Sequence, residues 1–318
     1  MLTRPAGITD AALGRCVTEQ WGVAITDLRY VAVGFGSYHW SATDAAGAKW
    51  FVTVDETADD AVALRAALET AADLRVAGCD FVVAPVRTRD GPVLARIADL
   101  AVTLYPHVEG ETYAYGEFRS EQHRQAVLDL LLALHAVPPA SAQHAARDDF
   151  VVPHRAALER MLDGGATGGP AGPYATASAQ ILDQNAAAIR GSLAVYDRYV
   201  ADIDETARPF VVTHGEPHAA NTIRTAGGLV LVDWDTTLVA PRERDLWSLV
   251  GEDAAAGEVY AEATGVTLSK AVLALYSLRW DLAEIALYAD RFRRPHRGDA
   301  DDDKSWEGLV ATIDHLVA

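Results

Sequence analysis

Two short stretches hold the residues whose types and spacing suit chemistry. One is Val211-Val212-Thr213-His214-Gly215-Glu216-Pro217-His218-Ala219-Ala220-Asn221, and the other is Leu231-Val232-Asp233-Trp234-Asp235. They offer carboxylates at Glu216 and Asp233, an amide at Asn221 and imidazoles at His214 and His218. The two histidines are four apart with a carboxylate between them, which raises the question of zinc. The zinc-protease pattern places its Glu directly after the first His, on a helix. Here the order is His-Gly-Glu-Pro-His, and Gly215 and Pro217 oppose the helix that would align the rings. Zinc is the weaker reading.

Phosphoryl transfer fits better. A carboxylate, an amide five residues later and a second carboxylate beyond a β-turn are the parts of a kinase centre. The first carboxylate accepts or orients a substrate hydroxyl proton. The amide and the later Asp supply hard oxygens for Mg²⁺, which bridges phosphates. The spacing is similar to that of the protein-kinase catalytic loop and its metal-binding Asp.

The elements that must position these groups follow from patterning. Leu28–Val33 is β-rich and runs into Gly34-Phe35-Gly36-Ser37, with strands expected at Tyr38–Thr43 and Trp50–Val54. Ala58–Ala77 has helical spacing and is closed by Gly78. Phe81–Val86 reads as a strand, and Val93–Tyr105 as one or two more. Helices are expected at Glu121–His135, Val152–Leu162, through most of Tyr174–Ile203 and from Pro241 onward, clearest at Leu273–Ala289. Gly164–Pro173 reads as a loop, and Asp299–Lys304 as an exposed acidic loop.

The chain has 318 residues, with 27 Lys plus Arg against 45 Asp plus Glu, a formal net charge of −18. That length suits two lobes and a sizeable core. The charge opposes nucleic-acid and anionic-membrane binding, so neither partner is expected. Only Lys49, Lys270 and Lys304 are lysines. Cys16 and Cys79 fit neither a disulfide framework nor a zinc spacing and read as buried thiols in a reducing compartment. No apolar run reaches spanning length and no signal-peptide pattern opens the chain, so a cytoplasmic location is expected.

The segment His214 to Asn221 resembles the H-G-D-x-H-x-x-N motif of the aminoglycoside phosphotransferase family, a group of protein-kinase-like small-molecule kinases. Val232-Asp233-Trp234-Asp235 is similar to its I-D-W-[ED] motif, Pro241–Leu246 to its P-x-x-x-D-L segment, and Leu131–His135 to its L-x-x-L-H helix. The spectinomycin phosphotransferase branch is nearest in style. The resemblance implies an α+β, protein-kinase-like two-lobed fold, with an antiparallel sheet plus one helix in the N-terminal lobe and a mainly helical C-terminal lobe. It implies a nucleotide-binding lobe over 1–105, a hinge over 106–110 and a substrate lobe over 111–318.

It also implies roles. Glu216 takes the catalytic-base position, Asn221 and Asp233 the Mg²⁺ positions, and His214 and Asp245 the structural support of the loop. Gly34, Gly36 and Ser37 would meet phosphate, and Thr103, Tyr105 and His107 lie in the stretch whose backbone meets the base. Asp235, Asp281 and Glu284 are the candidates for binding a cationic substrate. The implied reaction is Mg²⁺- and ATP-dependent phosphorylation of a hydroxyl on an aminoglycoside, aminocyclitol or amino sugar, with GTP as the other nucleotide choice and antibiotic resistance as one setting. The alternatives are a metabolic sugar or amino-alcohol kinase, and a degenerate kinase fold that binds without turnover.

Two departures motivate the last alternative. Glu216 stands where the family has Asp, and Thr53 stands where it has the nucleotide-binding Lys. Glu69, sixteen residues beyond Thr53, fits the helix Glu that pairs with that Lys. Lys49 shares a strand face with Thr53 but lies about 13 Å away along it. Arg65, Arg87 and Arg96 are the other sources of positive charge.

Overall fold

The structure, a computed structural model, describes residues 1–5, 7–56, 61–116, 118–164, 172–203 and 209–317. The expected helix start at Ala58 and most of the expected 164–173 loop lie outside the described residues. Among the described residues the chain order is α1 (Asp10–Trp21), β1 (Ile25–Val31), β2 (Tyr38–Asp44), β3 (Lys49–Glu56), α2 (Ala61–Val76), β4 (Leu94–Ile97), β5 (Leu100–Pro106), β6 (Glu111–Thr112) and α3 (Glu121–His135). There follow α4 (Arg155–Leu162), α5 (Ala175–Gln184), α6 (Ala186–Ala201), β7 (Val211–Thr213), β8 (Thr222–Thr225), β9 (Gly228–Leu231), β10 (Leu238–Ala240), α7 (Glu243–Glu252), α8 (Ala254–Thr264), α9 (Lys270–Arg293) and α10 (Ala300–Val317).

The chain divides into two compact units, Met1–Asp148 with Arg208–Thr267, and Asp149–Ala207 with Leu268–Ala318. The first holds an antiparallel sheet of order β1-β2-β3-β5-β4. Strand alternation splits its side chains between two faces. Trp40, Ala42, Val52, Val54, Val102 and Leu104 pack on Leu13, Cys16, Val17 and Trp21 of α1. Each fully buried apolar side chain there contributes roughly 1.5–3 kcal/mol. The opposite face carries His39, Thr53 and Thr103 in register across β2, β3 and β5. Leu64, Leu68 and Ala72 of α2 pack over part of that face with Val93, Leu94 and Tyr105.

In the same unit β7 pairs with β10, and β8 bridges β6 and β9. The second unit is helical: α9 packs against α4, α5, α6 and α10. The molecule is thus of the expected α+β class, with the sheet N-terminal and helices dominating afterwards. No helix among the described residues is long and apolar enough to cross a membrane.

Three local expectations change. The sequence reading places no element before Leu28, yet Thr9 caps a helix there by accepting the Ala12 amide, and Gly22 closes it at φ 76°. Phe81–Val86 forms no strand of its own; it meets β9 at a bridge from Val82 to Leu231, and the Val86 amide donates to the Leu104 carbonyl of β5 at 2.8 Å. The acidic run at 299–304 is not an exposed loop: from Ala300 on it is the start of α10, with Asp301 and Asp302 buried. Asp302 Oδ2 accepts the amides of Arg297, Gly298 and Asp299, and its Oδ1 pairs with Arg291 at 2.9 Å. Those donors outweigh the burial that would otherwise raise its pKa, and Asp302 stays below the usual carboxylate range.

Candidate active site

The strand β7 ends at Thr213 and delivers His214 into a fully buried position. His214 Nε2 donates to the Val232 carbonyl at 2.9 Å, and its Nδ1 accepts the Glu216 amide at 3.2 Å. One neutral imidazole therefore joins the backbone just before Asp233 to the backbone of Glu216. Burial holds the ring neutral, its pKa pushed down to about 4. A charged ring could not accept the Glu216 amide.

Asp245 braces the other side of the loop. Its carboxylate accepts the His214 amide at 2.8 Å and the Gly215 amide at 2.6 Å. His135 Nε2 donates to it at 3.1 Å, and Tyr260 in turn donates to His135 Nδ1 at 2.9 Å. Burial alone would raise the Asp245 pKa, but the hydrogen bond from His135 and the positive charge of Arg244 hold it low. Gly215 sits at φ 105°, and a Cβ there would stand 2.4 Å from Arg244 Nη2. That guanidinium is fixed by Thr213 Oγ1 at 2.9 Å and the Thr236 carbonyl at 2.7 Å.

The loop then places the polar groups. Asn221 ends a short 3₁₀ turn, and its Nδ2 donates to the Glu216 carbonyl at 3.0 Å, which leaves Oδ1 as its acceptor end. Val232 donates to the Asn221 carbonyl at 3.0 Å, so Asn221 and Asp233 are held by adjoining backbone. Asp233 has φ 67°, a left-handed conformation uncommon for a residue with a Cβ. Trp234 behind it is fully buried and donates to the Leu231 carbonyl.

Four carboxylates share this recess: Asp55 of β3, Glu216, Asp233 and Asp235. The Asp233 side chain reaches solvent, yet loss of surrounding water and the charges of Glu216 and Asp55 push its pKa up to about 7. Burial, then Asp233, Glu216 and Asp55, drive Asp235 well above the usual range. Glu216 differs. Burial pushes it up, but His218, with Nε2 3.7 Å from Oε2, and the charge of Arg244 together outweigh that and keep it below its usual value. An ionised Glu beside two carboxylates that resist ionising is a cluster short of positive charge.

That cluster suits a hard divalent cation. No group of three or more His, Cys, Asp or Glu among the described residues could hold a metal alone. Mg²⁺ commonly takes one or two protein oxygens and completes its shell with water and phosphate. Asn221 Oδ1 and the Asp233 carboxylate fit that pattern.

The other residues named from sequence fall as follows. Gly34 and Gly36 take φ 72° and 94° in the β1–β2 turn, and Ser37 donates to Asp55. Thr53 hydrogen-bonds the Tyr105 hydroxyl, which faces Asp55, Asp233 and Asp235. Thr103 is buried with its Oγ1 unpartnered, and His107 is exposed. Glu69 is buried and committed: its Oε2 accepts Arg87, and its Oε1 accepts the Val93 amide at 3.2 Å. Arg65 lies 4.0 Å from the same carboxylate, and Arg96 lies on β4. Lys49 pairs with Glu109 at 2.7 Å. Asp281 and Glu284 belong to the second unit, where His315 stands 3.2 Å from Asp281 and Tyr288 donates to Glu284 at 2.5 Å. Asp55 belongs to no motif legible in the sequence. The signal was its place two residues beyond Thr53, on the same strand face.

The sequence matches the phosphotransferase enzyme family over residues 27–288. It is 37% identical over 259 residues to Protein StrN of Streptomyces griseus, covering 77% of this chain and 75% of that protein. Among solved structures it resembles a spectinomycin phosphotransferase in complex with ADP and spectinomycin, with TM-score 0.73, 17% identity and 98% of each chain covered. It also resembles an amicoumacin kinase in complex with AMP-PNP and Ca²⁺, with TM-score 0.64, 11% identity, and 97% and 94% of the two chains covered. At these identities the structural likenesses speak to the fold.

Proposed function

The chain belongs to the phosphotransferase enzyme family, and from that premise we propose that it moves the γ-phosphoryl group of ATP to a hydroxyl of a small, cationic molecule. The observation that carries this reading is one linked set of bonds: His214 joins the Glu216 amide to the Val232 carbonyl just before Asp233, and Asn221 donates to the Glu216 carbonyl. Glu216, kept ionised at neutral pH, takes the hydroxyl proton as the new phosphorus–oxygen bond forms and the bond to the β-phosphate oxygen breaks. Asn221 and Asp233 hold Mg²⁺, whose chemistry is to neutralise phosphate charge. Gly34, Gly36 and Ser37 lie over the phosphates, and Thr103, Tyr105 and His107 border the base. His214 and Asp245 fix the loop. Glu69, engaged by Arg87, acts on the nucleotide side only through the 87–93 turn it braces.

The acceptor class is an aminoglycoside, aminocyclitol or amino sugar. The net charge of −18 supports a cationic substrate, as does the likeness to a protein solved with spectinomycin. Asp235, in the same recess, is the carboxylate we assign to receive an ammonium, and Asp281 and Glu284 remain the other candidates the sequence offers. We place the reaction in the cytoplasm, where two buried free cysteines stay reduced.

The test is incubation with Mg-ATP and a panel of aminoglycosides, aminocyclitols, amino sugars and amino alcohols, read by mass spectrometry. A phosphorylated aminoglycoside, aminocyclitol or amino sugar supports the proposal. A product found only among the amino alcohols replaces the acceptor class, and no product anywhere overturns the reading.

A further inference from the structure

A polyphosphate entering this recess meets Asp55, Glu216, Asp233 and Asp235. In protein kinases a strand lysine offsets that charge under a glycine-rich loop. Here the β3 residue facing the recess is Thr53, and its hydroxyl is tied to Tyr105. Lys49 pairs with Glu109, Arg87 with Glu69 and Arg29 with Asp27, and Arg96 stands two strands from β3, on the edge strand β4.

On its own face of the sheet Thr53 has four neighbours. Phe51 and Asp55 flank it along β3, Thr103 stands across on β5, and His39 stands across on β2. His39 is the one nitrogen-bearing side chain of the four. Its ring stacks on Phe51 with centroids 5.2 Å apart. Its Nε2 edge lies against the glycine turn, where a Cβ on Gly34 would stand 3.0 Å away. Its Nδ1 is buried and has no hydrogen-bond partner. A buried polar nitrogen without a partner is costly unless something else completes it. Burial keeps the ring neutral, with its pKa pushed down to about 4, so one of its nitrogens carries a proton to donate and the other a lone pair.

We propose that His39 is the phosphate-contacting donor of this site: its single imidazole N–H donates to one oxygen of the β–γ phosphate group beneath the Gly34–Gly36 turn. The proposal rests on the nucleotide reading above and adds a binding residue to it. Two features support the placement: His39 is the cross-strand partner of Thr53, and Gly34 presses on its ring. Phe51 fixes the ring plane, so the donor costs little to order.

The experiment is isothermal titration of AMP-PNP with Mg²⁺ into four proteins: wild type, His39→Leu, Thr53→Lys and the double variant. His39→Leu weakens affinity by about tenfold or more. Thr53→Lys in the His39→Leu background restores it to within about threefold, because a lysine one strand away reaches the same oxygens. ¹⁵N-histidine NMR of the wild type needs no substitution: the His39 ring nitrogens shift on adding AMP-PNP and stay in place with AMP. His39→Leu binding AMP-PNP as wild type does, or ring nitrogens unmoved at saturation, overturns the inference alone. Wild type that binds no AMP-PNP overturns the nucleotide reading and the inference with it.

Discussion

Protonation of His214 loosens the site, and its magnitude follows from burial. The ring is fully buried, with a folded pKa of about 4 against an ordinary value of 6.5. The folded state therefore resists taking the proton that the unfolded chain accepts. Stability from this residue is complete above the unfolded value and declines as pH falls toward the folded one. Linkage gives a loss of about 2 kcal/mol between pH 7 and pH 5, and about 3 kcal/mol in all once both states are protonated. The assay is urea unfolding of wild type and His214→Gln at pH 7.5, 6 and 5. His214→Gln is less stable throughout, because the Val232 carbonyl and the Glu216 amide lose their partner. It lacks the titrating ring, so the gap to wild type narrows by about 2 kcal/mol on going to pH 5. Other low-pKa groups such as His39 are common to both proteins and cancel. Parallel stability profiles across that range would refute the reasoning.

Gly215→Ala should be severe, since a Cβ at φ 105° displaces the Arg244 guanidinium from Thr213 and Thr236. Thermal unfolding should report a loss of about 3 kcal/mol, and an unchanged melting temperature would mean the loop adapts. Arg87→Ala strands the buried Glu69 carboxylate and should cost about 2 kcal/mol, discounted for the exposure of Arg87. Adding Glu69→Gln should recover part of that loss; simple addition of the two effects in a double-mutant cycle would show that the pair is not coupled.

What the sequence reveals depends on how local the cause is. Residues 211–246 are legible because the site is built from short-range offsets: Asn221 five after Glu216, and Asp245 reaching back to two consecutive amides. The apolar strands flanking them read from β-branched alternation. The fate of Glu69 is not legible, because nothing in helical spacing says that Arg87 folds back onto it. Asp302 hides for a similar reason. Hydropathy reads three consecutive aspartates as solvated, whereas three backbone amides and Arg291 converge on one of them. Helix α1 depends on a Thr9 cap and on packing against Trp40 and Val52, partners far along the chain. His39 carries no motif, and only strand register puts it opposite Thr53.

Glu216 is proposed as the base of a phosphoryl transfer whose nucleotide site it does not build. The most direct measurement compares Glu216→Gln with wild type for phosphoryl transfer to the best acceptor of the panel, at saturating Mg-ATP, beside AMP-PNP affinity for both proteins. With Glu216 as base, kcat falls by about a hundredfold or more while AMP-PNP affinity stays within about twofold. Turnover preserved in Glu216→Gln would contradict it.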